Sequence, residues 1–409
     1  MRRAAFVFIF FVVLMDMLAL GISAPVWPKL VIELERGDTS SAAAMYGLFG
    51  TVWALMQFLC APLLGALSDR FGRRLVILLS CVGLGLDYFV LATAPTLGWL
   101  FVGRVLSGIT ASSFATAFAY VADVVPPDER AGKFGMLGAA FGIGFILGPA
   151  LGGVVGSVSL RLPFWAAGAL SLANAAYGFF VLPESLPPEK RAKFSLANAN
   201  PVGALGLLRS HRALLALACV AFLYRVAHDA LPTLFVLYSD YRFGWTAKTA
   251  GYALAVVGVA SMIVQAGLVG RVVKRLGERR ALIVGLACGA VGFAIYGLAP
   301  NGWVYLSGIA VGALFGFSYP SLQGLATRLV GPDEQGRLQG ALASLMGVAG
   351  VIAPLLFTQV FAEAIGRFGS LGVPGAPYLL AGLLLIAAIL VASRATASVA
   401  LAEPEARAA

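Results

Sequence analysis

Twelve apolar stretches of about 20 residues, the length a helix needs to cross a ~30 Å hydrocarbon layer, divide this chain and leave mostly short polar connections. They cover residues 5–30, 43–67, 75–94, 97–121, 134–157 and 163–182, then 213–238, 250–269, 281–299, 303–327, 338–362 and 377–393. In hydrocarbon every backbone N–H and C=O must be satisfied within the protein, so only helices and closed barrels span. Continuous apolar runs of this length specify helices, because a barrel strand alternates faces over about ten residues. Sixty per cent of the 409 residues are hydrophobic and 12% are charged, whereas a soluble domain carries about 25% charged residues. The expected fold is an all-α membrane protein with 12 transmembrane helices in two pseudo-symmetric six-helix bundles.

The net charge of +10 would suggest a nucleic-acid partner in a soluble protein. Here the basic surplus sits in the polar connections, so no nucleic acid is expected and the partner is the lipid bilayer. Among the 29 Lys and Arg, the six at Lys29, Arg36, Arg161, Arg242, Lys248 and Arg367 fall on one side of the predicted membrane. Arg104 and Arg225 lie within apolar stretches, and all others fall on the opposite side together with both termini. Positive loops stay inside, so the expectation is a multi-pass protein of a bacterial cytoplasmic membrane with both termini cytoplasmic. Arg2 and Arg3 precede a long run that holds Asp16, which reads as a retained first helix rather than a cleaved signal. Cys60, Cys81, Cys219 and Cys288 all lie in apolar segments without metal-ligand spacing. The only histidines are His211 and His228, and no phosphate loop or nucleophile elbow occurs, so neither an enzyme, a metal nor a cofactor is expected. The protein is expected to act as a monomer.

The two halves repeat at an offset of 205 residues. Gly65, Gly72, Arg74, Pro95 and Gly103 map onto Gly270, Gly277, Arg279, Pro300 and Gly308; Asp128, Glu129, Gly135, Gly142 and Pro149 map onto Asp333, Glu334, Gly340, Gly347 and Pro354. Parallel six-helix repeats with the cargo held between them at mid-membrane are a known transporter plan. The predicted domains are 1–182 and 213–394, joined by a cytoplasmic linker over 183–212 and followed by a tail over 395–409.

Six ionisable residues fall inside the predicted membrane: Asp16, Asp87, Arg104, Arg225, His228 and Asp229. Each costs roughly 2.5–3.5 kcal/mol on insertion scales, so such a group normally faces a cavity and has a task. Arg225 and Asp229 stand four apart and can pair on one helix face; Arg104 can neutralise Asp16 or Asp87. An acid that binds either a proton or cargo suffices for exchange transport. Gln57, Tyr120, Tyr224, Gln265, Tyr319 and Gln323 are further candidates for lining a cavity.

Two motifs carry a resemblance. Residues 65–74, Gly-Ala-Leu-Ser-Asp-Arg-Phe-Gly-Arg-Arg, read as a compact cytoplasmic turn and resemble the loop between helices two and three of the major facilitator superfamily. Residues 144–153, Gly-Phe-Ile-Leu-Gly-Pro-Ala-Leu-Gly-Gly, resemble the antiporter signature of its drug:proton exporters. The chain is most similar to the tetracycline-exporter group, notably over 56–74, 87–95, 103–111 and 277–282 and in the pattern Asp16, Pro25, Pro28. The resemblance implies a cytoplasmic gate at Gly65, Asp69, Arg70, Gly72, Arg73 and Asp123, in which Asp123 pairs with Arg73 or Arg70. It also implies a hinge-like seal between the halves at Gly144, Gly148, Pro149 and Gly152, and a part for Arg104 in proton movement. Glycines spaced by four let helix backbones approach closely, and Pro149 removes one helical hydrogen bond. Gly308, Gly312 and Gly316 form a similar face, read as packing. The second-half copy of the gate has Lys274 and Arg328 at the positions of Asp69 and Asp123 and reads as a degraded, mostly electrostatic copy. Where tetracycline exporters carry a helix-eight histidine and a helix-nine aspartate, this chain has Ser261 and Gly289, so tetracycline is not carried over as cargo.

Three functions follow. The leading one is proton-coupled export of an amphipathic small molecule, with small-molecule substrate and protons as partners. The alternative is a facilitator or proton-coupled importer of a small polar or anionic solute bound by Arg225. A membrane sensor without transport finds no sizeable soluble domain to carry its signal.

Overall fold

The computed structural model describes residues 2–111, 113–191, 206–208, 212–331 and 334–406, and among these the regular elements are all helical, without a strand. They divide into two compact units, one of residues 1–200 with 244–258, the other of 201–243 with 259–409.

The first unit begins with α1 (Arg2–Ser23), a short break, and α2 (Trp27–Leu34), where Pro28 sits in the first helical turn, the position in which its missing N–H costs nothing. There follow α3 (Thr39–Phe71), α4 (Arg73–Thr93), α5 (Leu97–Thr110), α6 (Ser113–Val124), α7 (Pro127–Gly156) and α8 (Leu162–Val181). Asp38 caps α3, its carboxylate accepting the Ser40 and Ser41 N–H groups. Arg161 donates to the carbonyls of Ala92 and Ala94 at the end of α4, 3.1 and 2.8 Å away, closing a helix C-terminus with a cation as the backbone dipole favours. The second unit contains α9 (Arg212–Phe243), the end of α10 (Ala247–Met262), α11 (Val269–Leu298), α12 (Gly302–Ala313), α13 (Ser318–Thr327), α14 (Gln335–Ile365) and α15 (Ala376–Ala406).

Eleven helical segments among the described residues are long and apolar enough to span. One of them, Ala247–Leu298, has 52 residues, about 78 Å of helix, more than twice the hydrocarbon thickness. It includes a π-helical stretch, Ile263–Leu268, and leaves helical geometry at Gly277, where φ is 76° and ψ is 160°. A left-handed φ followed by an extended ψ breaks this segment into two arms.

The turn expected over residues 65–74 is much shorter in the structure. Helix α3 continues through Phe71, α4 begins at Arg73, and the reversal is Gly72 alone, at φ 108° and ψ 153°. Only glycine enters this region without strain, and helix is the geometry that best satisfies backbone groups near a membrane. Gly65 lies within α3 and faces open space.

In the first unit Ile9, Val12, Ile77, Cys81, Tyr120 and Leu137 share one buried cluster, and Trp27, Leu30, Phe49 and Phe164 anchor another. In the second unit Tyr238, Tyr296, Tyr305 and Tyr378 pack ring to ring, with the Tyr305 and Tyr378 hydroxyls 2.8 Å apart.

Candidate functional site

Helix α4 carries Asp87 into the middle of the first unit, where the residue is 0% exposed. Arg104 on α5 places Nη2 3.0 Å from Asp87 Oδ2. The same guanidinium lies over the Trp27 ring, 4.6 Å from its centroid, so the cation is held by a carboxylate on one side and a π face on the other. A Cβ at Gly103 would lie 2.6 Å from Asp87 Oδ1; the glycine lets the carboxylate press on the α5 backbone. Arg104 therefore neutralises Asp87, an acid that the sequence left without a local partner. Asp16 is buried on α1. One turn earlier, the Val12 carbonyl accepts a bond of 2.9 Å from Asn174 Nδ2 of α8. Asn174, fully buried, is missing from the expected set because a lone amide carries no charge signal in an apolar stretch.

In the second unit Arg225 Nε donates to Asp229 Oδ2 at 2.9 Å, and His228 Nδ1 lies 3.3 Å from Asp229 Oδ1. The side chains of Arg225 and His228 are 39% and 47% exposed while that of Asp229 is 11% exposed. The acid is thus covered and its two basic neighbours are open. Gly350 of α14 closes on the pair, and a Cβ there would lie 3.7 Å from Arg225 Nη2 and 3.8 Å from Asp229 Oδ2. Tyr224, one residue before Arg225, stacks against His228 at 5.9 Å and Tyr319 at 5.8 Å and tilts against Phe315 at 4.7 Å. Gln323 Nε2 donates to the Tyr319 hydroxyl at 3.1 Å and to Gln339 Oε1 at 3.2 Å. Gln265 lies on the π-helical stretch, its amide 3.2 Å from where a Gly316 Cβ would be. A partly open aromatic face edged by amides, a cation and an imidazole results.

Gly289 packs against the same aromatics. A Cβ there would meet Phe315 at 2.6 Å and Leu385 at 2.7 Å, so the position where the resemblance led one to expect an aspartate has no room for one. Two other candidates stand elsewhere. Gln57 Nε2 donates to the Ala111 carbonyl, 3.2 Å away, where α5 ends. Tyr120 is fully buried in the core instead of lining a cavity, its hydroxyl donating to the Pro183 carbonyl at 2.9 Å.

At the α3–α4 corner Arg73 lies 2.5 Å from Asp69, 3.2 Å from Asp123 and 2.6 Å from the Ser68 hydroxyl. The Ser185 hydroxyl also donates to Asp123, at 3.0 Å. Asp123 pairs with Arg73; Arg70 is exposed, its guanidinium over Phe71. An unforeseen participant is Glu184, whose carboxylate accepts the Arg73 and Arg74 N–H groups at 2.9 and 3.3 Å and so caps α4 from a distant segment. Removing such a cap costs about 1 kcal/mol; Glu184→Ala should lower the unfolding midpoint in detergent by a few degrees, measured by thermal melting, and Glu189→Ala should not. The second-half corner holds an ion pair of its own, Glu278 to Arg328 at 3.1 Å.

The glycine stripe of α7 faces α1. Built-on Cβ atoms would lie 2.5 Å from Met17 Cβ at Gly144 and 2.6 Å from Gly21 Cα at Gly148, and at Gly152 would run into the Ile22 carbonyl. Gly144, Gly148 and Gly152 close a crossing with α1. The adjacent Gly153 meets Ala247 and Gly251 of α10.

The profile of the Major Facilitator Superfamily matches residues 9–354. The chain is 38% identical over 359 residues to a tetracycline resistance protein, class C, of Escherichia coli, covering 88% of this chain and 90% of that one. It is 33% identical to the class B protein of the same organism, over 87% and 88% of the two chains. Among solved structures, the human organic anion transporter MFSD10 (TETRAN) superimposes with a TM-score of 0.70 at 25% identity, covering 96% of this chain and 99% of that one. The nucleoside transporter NupG superimposes with a TM-score of 0.77 at 13% identity, over 96% and 99% of the chains, a likeness of fold alone.

Proposed function

The chain belongs to the major facilitator superfamily and is a multi-pass membrane transporter, and on that premise we propose that it exports an amphipathic, aromatic small molecule in exchange for protons. The observation that carries this reading is the Asp87–Arg104 pair, a carboxylate wholly buried among spanning helices with a single cationic side chain against it. Protonation of Asp87 removes the attraction and frees Arg104; deprotonation restores it. A buried charge left without its partner is costly, so the two protonation states favour different helix arrangements. Asp16 on α1 is the second acid assigned to the proton, and Asp229 the third. Each proton entering is driven by about 2.3 kcal/mol per 100 mV, worth a roughly fifty-fold concentration ratio. The basic connections face the cytoplasm.

The cargo's seat is assigned to Tyr224, Phe315 and Tyr319, with Arg225 and His228 at the edge. Flat rings stack there, and Gly289 admits Phe315 in place of an acid. Tetracycline resistance relatives share the architecture; at this face the cargo preference is set by aromatic area. Tyr224→Ala should raise the apparent KM for ethidium about tenfold, the worth of ~1–1.5 kcal/mol of ring contact, with Vmax little changed. An unaltered KM would remove Tyr224 from the seat.

A second reading, facilitated uptake of an organic anion, draws on the open Arg225 guanidinium and on the likeness to the human organic anion transporter. Proteoliposomes with an imposed pH gradient separate the two. Export predicts ethidium flux that rises with the gradient and acidifies the compartment the cargo leaves faster than leak alone. Flux of a carboxylate dye indifferent to the gradient would put the second reading first.

A further inference from the structure

The corner at Gly72 and the corner at Gly277 are the same device written in opposite charge. At the 205-residue offset Asp69, Arg73 and Asp123 correspond to Lys274, Glu278 and Arg328. Acid, base, acid has become base, acid, base, so all three signs are exchanged. The backbone reversal between the first two members is kept, with φ 108° and ψ 153° at Gly72 and φ 76° and ψ 160° at Gly277. The long-range attraction is kept as well, Arg73 to Asp123 at 3.2 Å and Glu278 to Arg328 at 3.1 Å.

The following residue shows why this is not drift. Arg74 and Arg279 keep their sign, and both donate to a main-chain carbonyl of a helix in their own unit, Phe179 on α8 and Ser393 on α15. A carbonyl cannot change sign, so its donor cannot either. A side-chain partner can, provided both members change together. Independent drift would leave like charges facing each other at one stage; only the attraction has been retained.

The central members are the more covered ones, with side chains 13% exposed at Arg73 and 19% at Glu278 against 23% at Asp123 and 65% at Arg328. The Glu278 carboxylate is pressed against α13 at Gly324, where a Cβ would lie 2.5 Å from Oε1. Any larger residue at 324 would displace it.

We infer that Glu278 and Arg328 are positioning residues of the transport cycle, holding α11 to α13 as Arg73 and Asp123 hold α4 to α6. Transport requires attraction at each corner and is indifferent to which helix carries which sign. The inference rests on the chain being a transporter and is independent of proton coupling and of the cargo.

The test is a charge-reversal cycle in the full-length protein, using ethidium flux in proteoliposomes, its KM and Vmax, and thermal unfolding in detergent. Glu278→Arg should lower Vmax at least tenfold with KM within twofold of wild type, because the pair orders helices without touching cargo. Adding Arg328→Glu should recover at least half of Vmax and the unfolding midpoint. The pair Arg73→Glu with Asp123→Arg should recover likewise relative to Arg73→Glu alone. Glu278→Gln falls between, since it removes attraction without adding repulsion. Wild-type Vmax in Glu278→Arg, or a double reversal no better than the single in both readouts, overturns the inference. If wild-type protein leaves ethidium unmoved, the export reading falls, and the latch stands or falls on whether the double reversal restores the unfolding midpoint.

Discussion

Asp87→Asn should abolish gradient-driven flux while the protein still inserts and purifies in normal yield. Asparagine matches aspartate in shape, so the packing against Gly103 is preserved, but the residue can no longer gain or lose the proton that the exchange requires. It also leaves Arg104 against the Trp27 ring without its carboxylate. Breaking a buried pair costs about 3–5 kcal/mol, of which the cation–π contact recovers up to ~2. The remainder, about 1–3 kcal/mol, corresponds to a loss of roughly fivefold to 150-fold, and the missing proton site places the result at the lower end of activity. Counterflow down a cargo gradient isolates the two effects. A protein that has lost only proton coupling still exchanges labelled for unlabelled ethidium, whereas one that has collapsed does neither. Full pH-driven flux in Asp87→Asn would remove Asp87 from the mechanism. Arg104→Lys should be intermediate, because an ammonium keeps the charge but not the planar fit to indole and carboxylate together.

Gly148→Leu should prevent a stable protein from accumulating, and Gly148→Ala should destabilise it strongly. The backbones of α1 and α7 touch here. A Cβ at Gly148 would lie 2.6 Å from Gly21 Cα, and one at Gly21 would lie 2.8 Å from Gly148 Cα. No flexible side chain stands in the way that could swing aside, so one helix must move. Overpacking of this kind costs about 1–3 kcal/mol for a methyl group and more for a larger one. The helix supplies its own control: Gly138, on α7 too, has nothing within 4 Å of a built Cβ. Gly138→Ala should therefore unfold at the wild-type temperature in detergent, where Gly148→Ala unfolds many degrees lower. Equal melting of the two variants would refute the crossing.

The architecture was legible because hydrocarbon allows so few structures. Stretch length, loop charge and the 205-residue register each point to two bundles of helices. The site was legible one residue at a time. Arg225 and Asp229 could be paired from their spacing, since four residues is one helical turn. For Arg104 the sequence left two acids open, Asp16 and Asp87, because Asp87 stands 17 residues away on a different helix. Asn174 and Glu184 escaped notice because their partners are backbone groups, which sequence does not display. The Glu278–Arg328 pair was hidden for another reason: a register search rewards identity, and a concerted change of sign registers as three mismatches. Gly289 showed the converse, a visible departure whose cause, the Phe315 ring, lies 26 positions along the chain.

Residues 244–258 cluster with the first unit although 43 residues assigned to the second precede them. Translation is vectorial, so by the time the ribosome has finished residue 200 the first bundle still lacks the stretch that meets Gly153. At about 5–20 residues per second the missing 58 take roughly 3–12 s to arrive. During that interval Gly153 of α7 stands without its neighbours Ala247 and Gly251. A protein made as two fragments divided at residue 200 should therefore form the Gly153 contact only in trans.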